Sequence, residues 1–314
     1  MLSIFYNFSN MDPDKAVSWF KRASDLGSAD AMCSLGLCHF QGIGVERDLI
    51  LAVRYFKKSA QSGSVRGMFN LGFCLYQGSG VRKDYEQAAS WLMRAADLGH
   101  PASMYHLGMC FHTGNGVLFD QMEAVSWFRK AAAQDNVSAM VTLGMCFYQG
   151  QGVVQSLTRA VEWFRKAIDL GASDGMNALG VCLLWGKGVG EDLQGALEEF
   201  EKAAEVGNVL AMVNLGHCHY WGFGADKNPN AAVEWYSKAA DLGSVYGMYY
   251  LGNCHGEALG ARKRSELSSQ WSRNPEEQEM LMGPTMSPVP ISKKLGMESE
   301  KKSLALQLPK EAEG

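Results

Sequence analysis

The chain has 314 residues, of which 47% are hydrophobic and 20% are charged, and its formal net charge is −4. This composition is typical of a soluble folded protein, and the lack of a basic excess argues against nucleic acid as the main partner. No apolar run approaches the roughly 18–20 residues that a membrane span requires, so we expect no membrane insertion.

Residues 1–11 come before any repeat pattern and are rich in apolar side chains. They carry no basic residue and no uninterrupted apolar core, so they do not resemble a signal peptide. We predict that they form a cap over the N-terminal face of the fold. Since no export signal is seen, the expected location is the cytoplasm, with the nucleus as the alternative.

From residue 12 to residue 260 the sequence repeats with a period of 36 residues. A Leu-Gly pair begins three residues after each of seven methionines, which keep the period without a slip: Met32, Met68, Met104, Met140, Met176, Met212 and Met248. A period of about 20–50 residues is typical of arrays in which one small unit stacks on copies of itself. We therefore predict one continuous solenoid over residues 12–260 instead of the two globular domains that chain length alone suggests.

Each repeat has the pattern of two helices. In the first complete copy, Gly42 and Gly44 are expected to end the first helix, because glycine readily takes the positive φ of a C-cap or turn. Asp48 is then the N-cap of the second helix. Residues of capping type recur at this position: Asp12, Asp48, Asp84, Asp120, Ser156, Asp192 and Asn228. The glycine of the Leu-Gly pair should permit close approach of the two helices.

Seven of the eight cysteines occupy one position of the repeat: Cys38, Cys74, Cys110, Cys146, Cys182, Cys218 and Cys254. Equivalent helices of stacked repeats lie about 8–10 Å apart, whereas a disulfide needs Cα atoms within about 7 Å. We interpret this cysteine ladder as a row of small buried thiols in a reducing compartment.

One cluster of the sequence has the residue types of a zinc site, with imidazoles next to thiols: His217, Cys218, His219, Cys254 and His255. However, Cys218 and Cys254 belong to the ladder, and consecutive residues of a helix point in different directions. We therefore favour a structural role for these residues and predict neither a metal nor a cofactor.

The repeat pattern is lost in residues 261–314. This segment contains five of the eight prolines, and Trp271 is its only aromatic residue. Acidic and basic residues alternate in short clusters there. Such a composition cannot bury a core, so we predict a disordered tail.

In one copy of the repeat, the residues that carry the pattern are Leu143-Gly144, Gly150, Gly152-Val153, Ala160, Trp163-Phe164 and Lys166-Ala167. This pattern covers about residues 12–256 and resembles the Sel1-like repeat, a relative of the tetratricopeptide repeat with a longer turn between its helices. The chain departs from the family at the usual tyrosine three residues after the Leu-Gly glycine, where it has His39, Leu75, Phe111, Phe147, Leu183, His219 and His255. The resemblance implies an all-α, right-handed superhelix of about six helical hairpins with half-repeats at both ends.

The resemblance also implies a non-enzymatic scaffold or adaptor that binds a protein or peptide segment. In the similar tetratricopeptide hairpins the first helices line the concave side, where aromatic side chains suit peptide binding. The residues that we predict to bind a partner there are Phe40, Phe69, Tyr76, Tyr105, Tyr148, Trp185, Tyr220 and Trp221. The alternative left open is that these rings pack between neighbouring helices.

Two other interpretations of function stay open. A secreted branch of the family pairs two cysteines within each hairpin and is associated with β-lactam binding. One ladder cysteine per repeat and the absence of an export signal argue against membership of that branch. The chain could instead be an isoform or fragment with little activity of its own.

Overall fold

The computed structural model describes residues 12–258, and side chains as far as Cys254. The predicted N-terminal cap, residues 1–11, and the predicted disordered tail, residues 261–314, lie outside the described residues. Within residues 12–258 every regular element is an α-helix. The chain divides into two compact units, of which unit 1 ends at Leu170 and unit 2 begins at Gly171.

Unit 1 contains the lone helix α1, followed by four helical hairpins. We number the hairpins in chain order: α2–α3 is hairpin 1, α4–α5 hairpin 2, α6–α7 hairpin 3 and α8–α9 hairpin 4. The helices are α1 Pro13–Asp25, α2 Ala29–Gln41, α3 Leu49–Gln61, α4 Val65–Gln77, α5 Tyr85–Asp97, α6 Pro101–Thr113, α7 Gln121–Ala132, α8 Val137–Gln149 and α9 Leu157–Asp169.

Unit 2 contains two hairpins and a final lone helix. Hairpin 5 is α10–α11 and hairpin 6 is α12–α13, and α14 occupies the place of a further first helix. The helices are α10 Ser173–Trp185, α11 Leu193–Glu205, α12 Val209–Trp221, α13 Pro229–Asp241 and α14 Val245–Ala258.

Within each unit, a helix packs mainly on the helices before and after it in the sequence. This is the arrangement of stacked helical hairpins, each of which covers the apolar face of the next. The predicted fold class, an all-α solenoid of about six hairpins with a half-repeat at each end, is confirmed.

The Leu-Gly glycine lets the two helices of a hairpin pack closely. A Cβ added to Gly144 would lie 2.5 Å from Cε1 of Phe164, a fully buried ring on the second helix. The same contact recurs between Gly36 and Phe56, Gly72 and Leu92, Gly108 and Phe128, Gly180 and Phe200, and Gly216 and Tyr236. Any larger residue would push the helices apart and leave the buried ring poorly packed.

The predicted N-caps of the second helices are confirmed. Each capping side chain accepts a hydrogen bond from a backbone N–H of the first helical turn, and each of these caps contributes about 1 kcal/mol to helix stability. First helices end at a glycine in the left-handed region, such as Gly42 with φ of 75°. The glycine after the first helix and the capping residue before the second helix therefore determine where the first helix ends and the second begins.

The cysteine ladder is buried in hairpins 1 to 6, as predicted. Burial raises the pKa of Cys146 to about 11 and those of Cys74, Cys110 and Cys182 to about 12. The prediction was wrong for Cys254, which is only half-buried. Cys254 lies on α14, and the described residues contain no second helix that would complete its hairpin.

Candidate binding surface

The first row of predicted contacts, on the N-terminal halves of the first helices, contains Phe69 and Tyr105, and of these two residues Phe69 lies in the core. Phe69 is 2% exposed, and its ring lies 4.9 Å from that of His100 and 5.7 Å from that of His106. At equivalent positions, Asn177 and Val213 are also buried. Phe69 thus presents almost no ring surface to a partner, because the next hairpin covers it.

Tyr105, at the same position of hairpin 3, remains half-buried and keeps part of its ring accessible. Its ring centroid lies 5.9 Å from that of Phe128 in the same hairpin. This packing orients the tyrosine ring without enclosing it.

The second row, at the C-terminal ends of the first helices, is more accessible in unit 1. Phe40, Tyr76 and Tyr148 are all half-buried there. The hydroxyl of Tyr76 accepts a hydrogen bond of 3.1 Å from Nδ2 of Asn115, and its ring contacts Tyr85 edge-on at 5.2 Å. A ring held by such contacts loses little conformational freedom when a ligand binds.

The turn after each first helix helps to position this second row. Nε2 of Gln155 donates a 2.8 Å hydrogen bond to the carbonyl oxygen of Tyr148, and Nε of Arg47 donates one of 3.2 Å to that of Phe40. These bonds satisfy carbonyl groups that a helix end leaves without an intrahelical partner. The aromatic residue and its helix end are therefore fixed together.

In unit 2, the predicted residues Trp185 and Tyr220 are half-buried and pack against the core of that unit. Trp221 is 36% exposed, and its ring contacts Tyr220 edge-on at 4.9 Å. Unit 2 thus offers an aromatic surface of its own at the end of α12.

His217, a residue of the metal-like cluster, has a structural contact. His217 is buried, and its Nδ1 shares a 2.7 Å hydrogen bond with the hydroxyl of Tyr236. Burial lowers the pKa of His217 to about 3, so the ring is neutral in the folded protein. Within the described part of the chain, no group of three or more His, Cys, Asp or Glu residues has the arrangement of a metal site.

A cation recurs at one position near the end of α1 and of each second helix, and in five of these seven helices it lies over an aromatic ring one turn earlier. Nζ of Lys130 is 3.6 Å from the ring centroid of Trp127, and the same pairing joins Arg22 to Trp19, Arg94 to Trp91, Lys166 to Trp163 and Lys238 to Trp235. In hairpin 5 the aromatic residue is replaced by Glu199, which forms a 2.6 Å ion pair with Lys202. These cations are thus engaged in packing.

Two surface features were missed by the sequence analysis. Large apolar side chains are exposed at the turn of hairpin 3, where Leu118 is 90% and Phe119 63% exposed. A run of cations without any acid extends over residues 49–83. Comparison of equivalent positions in the repeats would have revealed the first feature, since Arg47, Lys83, Gln155, Glu191 and Lys227 stand where hairpin 3 has Phe119. The order of charges along the chain would have revealed the second feature.

The family comparison agrees with this architecture. The pattern described as Sel1 repeat matches residues 10–28, 29–64, 65–100, 101–136, 137–171, 173–208, 209–244 and 245–267. The chain therefore belongs to the Sel1 repeat family, whose members generally serve as protein-interaction scaffolds without enzymatic activity. The short first and last matches correspond to the two half-repeats.

Solved structures of similar fold include bacterial Sel1 repeat proteins. A protective antigen of uropathogenic Escherichia coli with an SLR fold is 31% identical, with a TM-score of 0.66 over 83% of this chain and 56% of the antigen. A Sel1 repeat protein from Oxalobacter formigenes is 26% identical, with a TM-score of 0.66 over 73% of this chain and 97% of its own. The chain thus spans little more than half the length of the antigen.

Yeast Tom70 shares the fold alone. Its identity to this chain is 16% and the TM-score is 0.52, over 92% of this chain and 59% of Tom70. No curated protein sequence matches the chain. Among the described helices, none combines the length and the apolar character that crossing a membrane requires.

Proposed function

We propose that this protein is a non-enzymatic scaffold that binds a peptide or protein segment on the half-buried aromatic rings at the C-terminal ends of its first helices. The observation that carries the proposal is the state of these rings in unit 1. Tyr76 and Tyr148 keep part of their surface accessible, and Tyr76 is held by Asn115 and Tyr85. Rings that are anchored and partly exposed are suited to binding, because few rotamers must be frozen.

The spacing of the rings defines the ligand. Equivalent helices of neighbouring repeats lie about 10 Å apart, and an extended peptide advances about 3.3 Å per residue. A bound segment would therefore meet a new hairpin about every three residues. We expect apolar or aromatic anchors at that spacing in the partner.

The cysteines support this proposal over the β-lactam-binding alternative. Every ladder cysteine lies on a first helix, so the described hairpins have no cysteine on the second helix with which to form a disulfide. Buried thiols with raised pKa values also react slowly. The proposal accordingly places the chain in a reducing compartment, the cytoplasm or the nucleus.

Selection of displayed random peptides on the full chain, followed by affinity measurement, tests the proposal. Tyr76→Ala and Tyr148→Ala should each weaken the selected peptide by about 1–3 kcal/mol with little change in melting temperature. Tyr55→Ala, a half-buried tyrosine on the second helix of hairpin 1, is the matched control and should leave affinity unchanged. Unfolding by the first two variants would instead identify their rings as core residues, and unchanged affinity in both would place the ligand elsewhere.

A further inference from the structure

The edge of unit 1 at the turns of hairpins 2 to 4 has an unusual surface. Six cations and no acid occur in residues 49–83: Arg54, Lys57, Lys58, Arg66, Arg82 and Lys83. In the part of the chain that the structure describes, only Lys15 with Asp12 and Lys202 with Glu199 form ion pairs. The positive charge of residues 49–83 is thus not neutralised by an ion pair within residues 12–254.

Three of these cations surround a cleft with a volume of about 480 Å³ between α3 and α5. Lys57, Arg82 and Lys83 line it together with apolar groups, among them Leu71 and Trp91. Asp84 also lines it, and the carboxylate of this N-cap residue accepts hydrogen bonds from the backbone N–H and from Nε2 of Gln87. The combination of a cationic rim and an apolar floor is suited to carboxylates that are attached to an apolar chain. We call this site the cationic cleft.

An apolar patch follows at the turns of the next two hairpins. It consists of Leu118, Phe119, Met122 and Val154, which are 90%, 63%, 75% and 89% exposed. Such side chains in one place on a surface are typical of interaction sites.

The patch is continuous with the cationic cleft because the turns stack. A Cβ on Gly116 would overlap the backbone of Tyr85, which begins α5 and is separated from Arg82 and Lys83 by the N-cap residue Asp84. In the same way, a Cβ on Gly152 would meet the backbone of Gln121 at the start of α7, next to Met122.

Helix capping does not explain Phe119. At the equivalent position Arg47 and Gln155 donate to the carbonyl at the end of the first helix, which a phenyl ring cannot do. In hairpin 3 the carbonyl oxygen of His112 is instead bonded by Nε2 of Gln121, at 3.4 Å. The ring has neither a capping role nor burial in the core, so a role at the surface accounts for it best.

We propose that this edge binds a linear segment of a partner protein in which acidic residues are followed by apolar ones. The acidic side chains contact Arg82 and Lys83 at the cationic cleft, and the apolar side chains cover Leu118, Phe119 and Met122. Because adjacent turns lie about 10 Å apart, the two halves of the motif are separated by about three extended residues. The residues of this surface differ from the aromatic rings of the proposed function, although Tyr76 contacts Tyr85 between the cleft and the patch, and separate variants therefore test the two proposals.

The repeats themselves supply substitutions that are compatible with the fold. Phe119→Gln introduces the residue of hairpin 4, and Leu118→Glu that of hairpin 1. Arg82→Glu and Lys83→Glu likewise place glutamate where Glu46 and Glu191 stand in other hairpins. The control variants are Leu98→Gln, at a 60% exposed leucine on hairpin 2, and Lys21→Glu, at an exposed cation on α1.

The test is fluorescence anisotropy of the full chain with a labelled peptide, Gly-Glu-Glu-Ser-Gly-Leu-Phe-Leu. We expect saturable binding that weakens with added salt and falls about tenfold or more in the Arg82→Glu/Lys83→Glu and Leu118→Glu/Phe119→Gln variants. A peptide with Lys in place of both Glu residues should bind at least about tenfold more weakly. The two controls should bind the probe as the unmodified chain does, and all variants should melt at the same temperature.

Four results would overturn the proposal. The first three are no saturable binding up to about 1 mM probe, equal binding of the lysine peptide, and unchanged affinity in both double variants. The fourth is that the chain sediments with phosphatidylserine vesicles, the Arg82→Glu/Lys83→Glu variant does not, and the peptide does not bind. Binding that appears only after removal of residues 259–314 would identify a segment of the chain itself as the occupant and would equally contradict an external partner.

Discussion

In hairpin 4 the ring of Phe164 packs against Gly144, and in hairpin 6 the ring of Tyr236 packs against Gly216 in the same way. The residue after the glycine differs accordingly. It is the buried Met145 in hairpin 4 and the buried His217 in hairpin 6. The hydroxyl of Tyr236 and Nδ1 of His217 are 2.7 Å apart.

This difference shows how a polar group enters an otherwise apolar repeat core. A buried hydroxyl without a partner costs about 1–3 kcal/mol, whereas a hydroxyl paired with an imidazole avoids most of that cost. The pair of His217 and Tyr236 also makes the stability of hairpin 6 depend on pH, because an imidazole can be protonated. Hairpin 4 has no such group at the equivalent positions. Hairpin 6 should therefore respond to acid at its centre, and hairpin 4 should not.

The largest effect is expected from removing the ring that both hairpins place against the glycine. Phe164→Ala deletes a fully buried side chain and should lower the free energy of unfolding by about 3–5 kcal/mol, because a cavity remains. Phe164→Leu is the matched control, since Leu92 fills this position in hairpin 2, and should cost less than about 1.5 kcal/mol. Urea denaturation measures both. If both variants lowered the free energy of unfolding equally, a large apolar side chain of any shape would not be sufficient at this position.

The helices, their caps and the glycine contacts could be predicted from the sequence because each depends on residues within one repeat period. The pairing of His217 with Tyr236 could not, since it joins two helices and involves residues that each depart from the repeat. In the sequence, His217 falls in a metal-like cluster with Cys218 and Cys254, and the pattern favours a structural role without indicating its partner. The informative signal was that two positions of the same hairpin depart from the repeat together. Tyrosine replaces phenylalanine at one position, and histidine replaces an apolar residue at the other.

The accessibility of the predicted binding residues was also beyond the sequence. Phe69 and Tyr76 lie on the same helix α4, yet only Phe69 is covered, by His100 and His106 of the next hairpin. Whether an aromatic ring is covered depends on which side chains of the neighbouring repeat lie against it. Position within the repeat therefore predicts the direction of a side chain better than its exposure.

A smaller and pH-dependent effect is expected from His217. Burial lowers its pKa to about 3, so above the ordinary histidine pKa of about 6.5 both folded and unfolded states are neutral and the full stability is present. As the pH falls below about 6.5 only the unfolded state gains a proton, and stability should fall by up to about 1.4 kcal/mol per pH unit. Urea denaturation between pH 7.5 and 4.5 measures this decline.

The control for the acid effect is the double variant His217→Met/Tyr236→Phe, which gives hairpin 6 the residues of hairpin 4. Its stability should decline less steeply with acid than that of the unmodified chain. Part of the decline should persist, because burial also lowers the pKa of His106 in unit 1, to about 4. An identical pH profile for the two proteins would mean that His217 is protonated in the folded state or accessible to water.

The smallest effect is the coupling between His217 and Tyr236, measured by a double-mutant cycle at pH 7.5. Tyr236→Phe leaves Nδ1 of His217 without its partner, and His217→Met leaves the tyrosine hydroxyl buried alone, so each should cost about 1–3 kcal/mol. The double variant removes both polar groups and restores the apolar contact of hairpin 4. It should therefore be more stable than the sum of the single changes predicts, by about 1 kcal/mol. The edge-on contact of His217 with Tyr250, at 4.3 Å, is lost in both variants that lack the imidazole and so cancels from the coupling. Strict additivity would show that the 2.7 Å hydrogen bond contributes nothing to stability, and that the tyrosine and the histidine are accommodated independently.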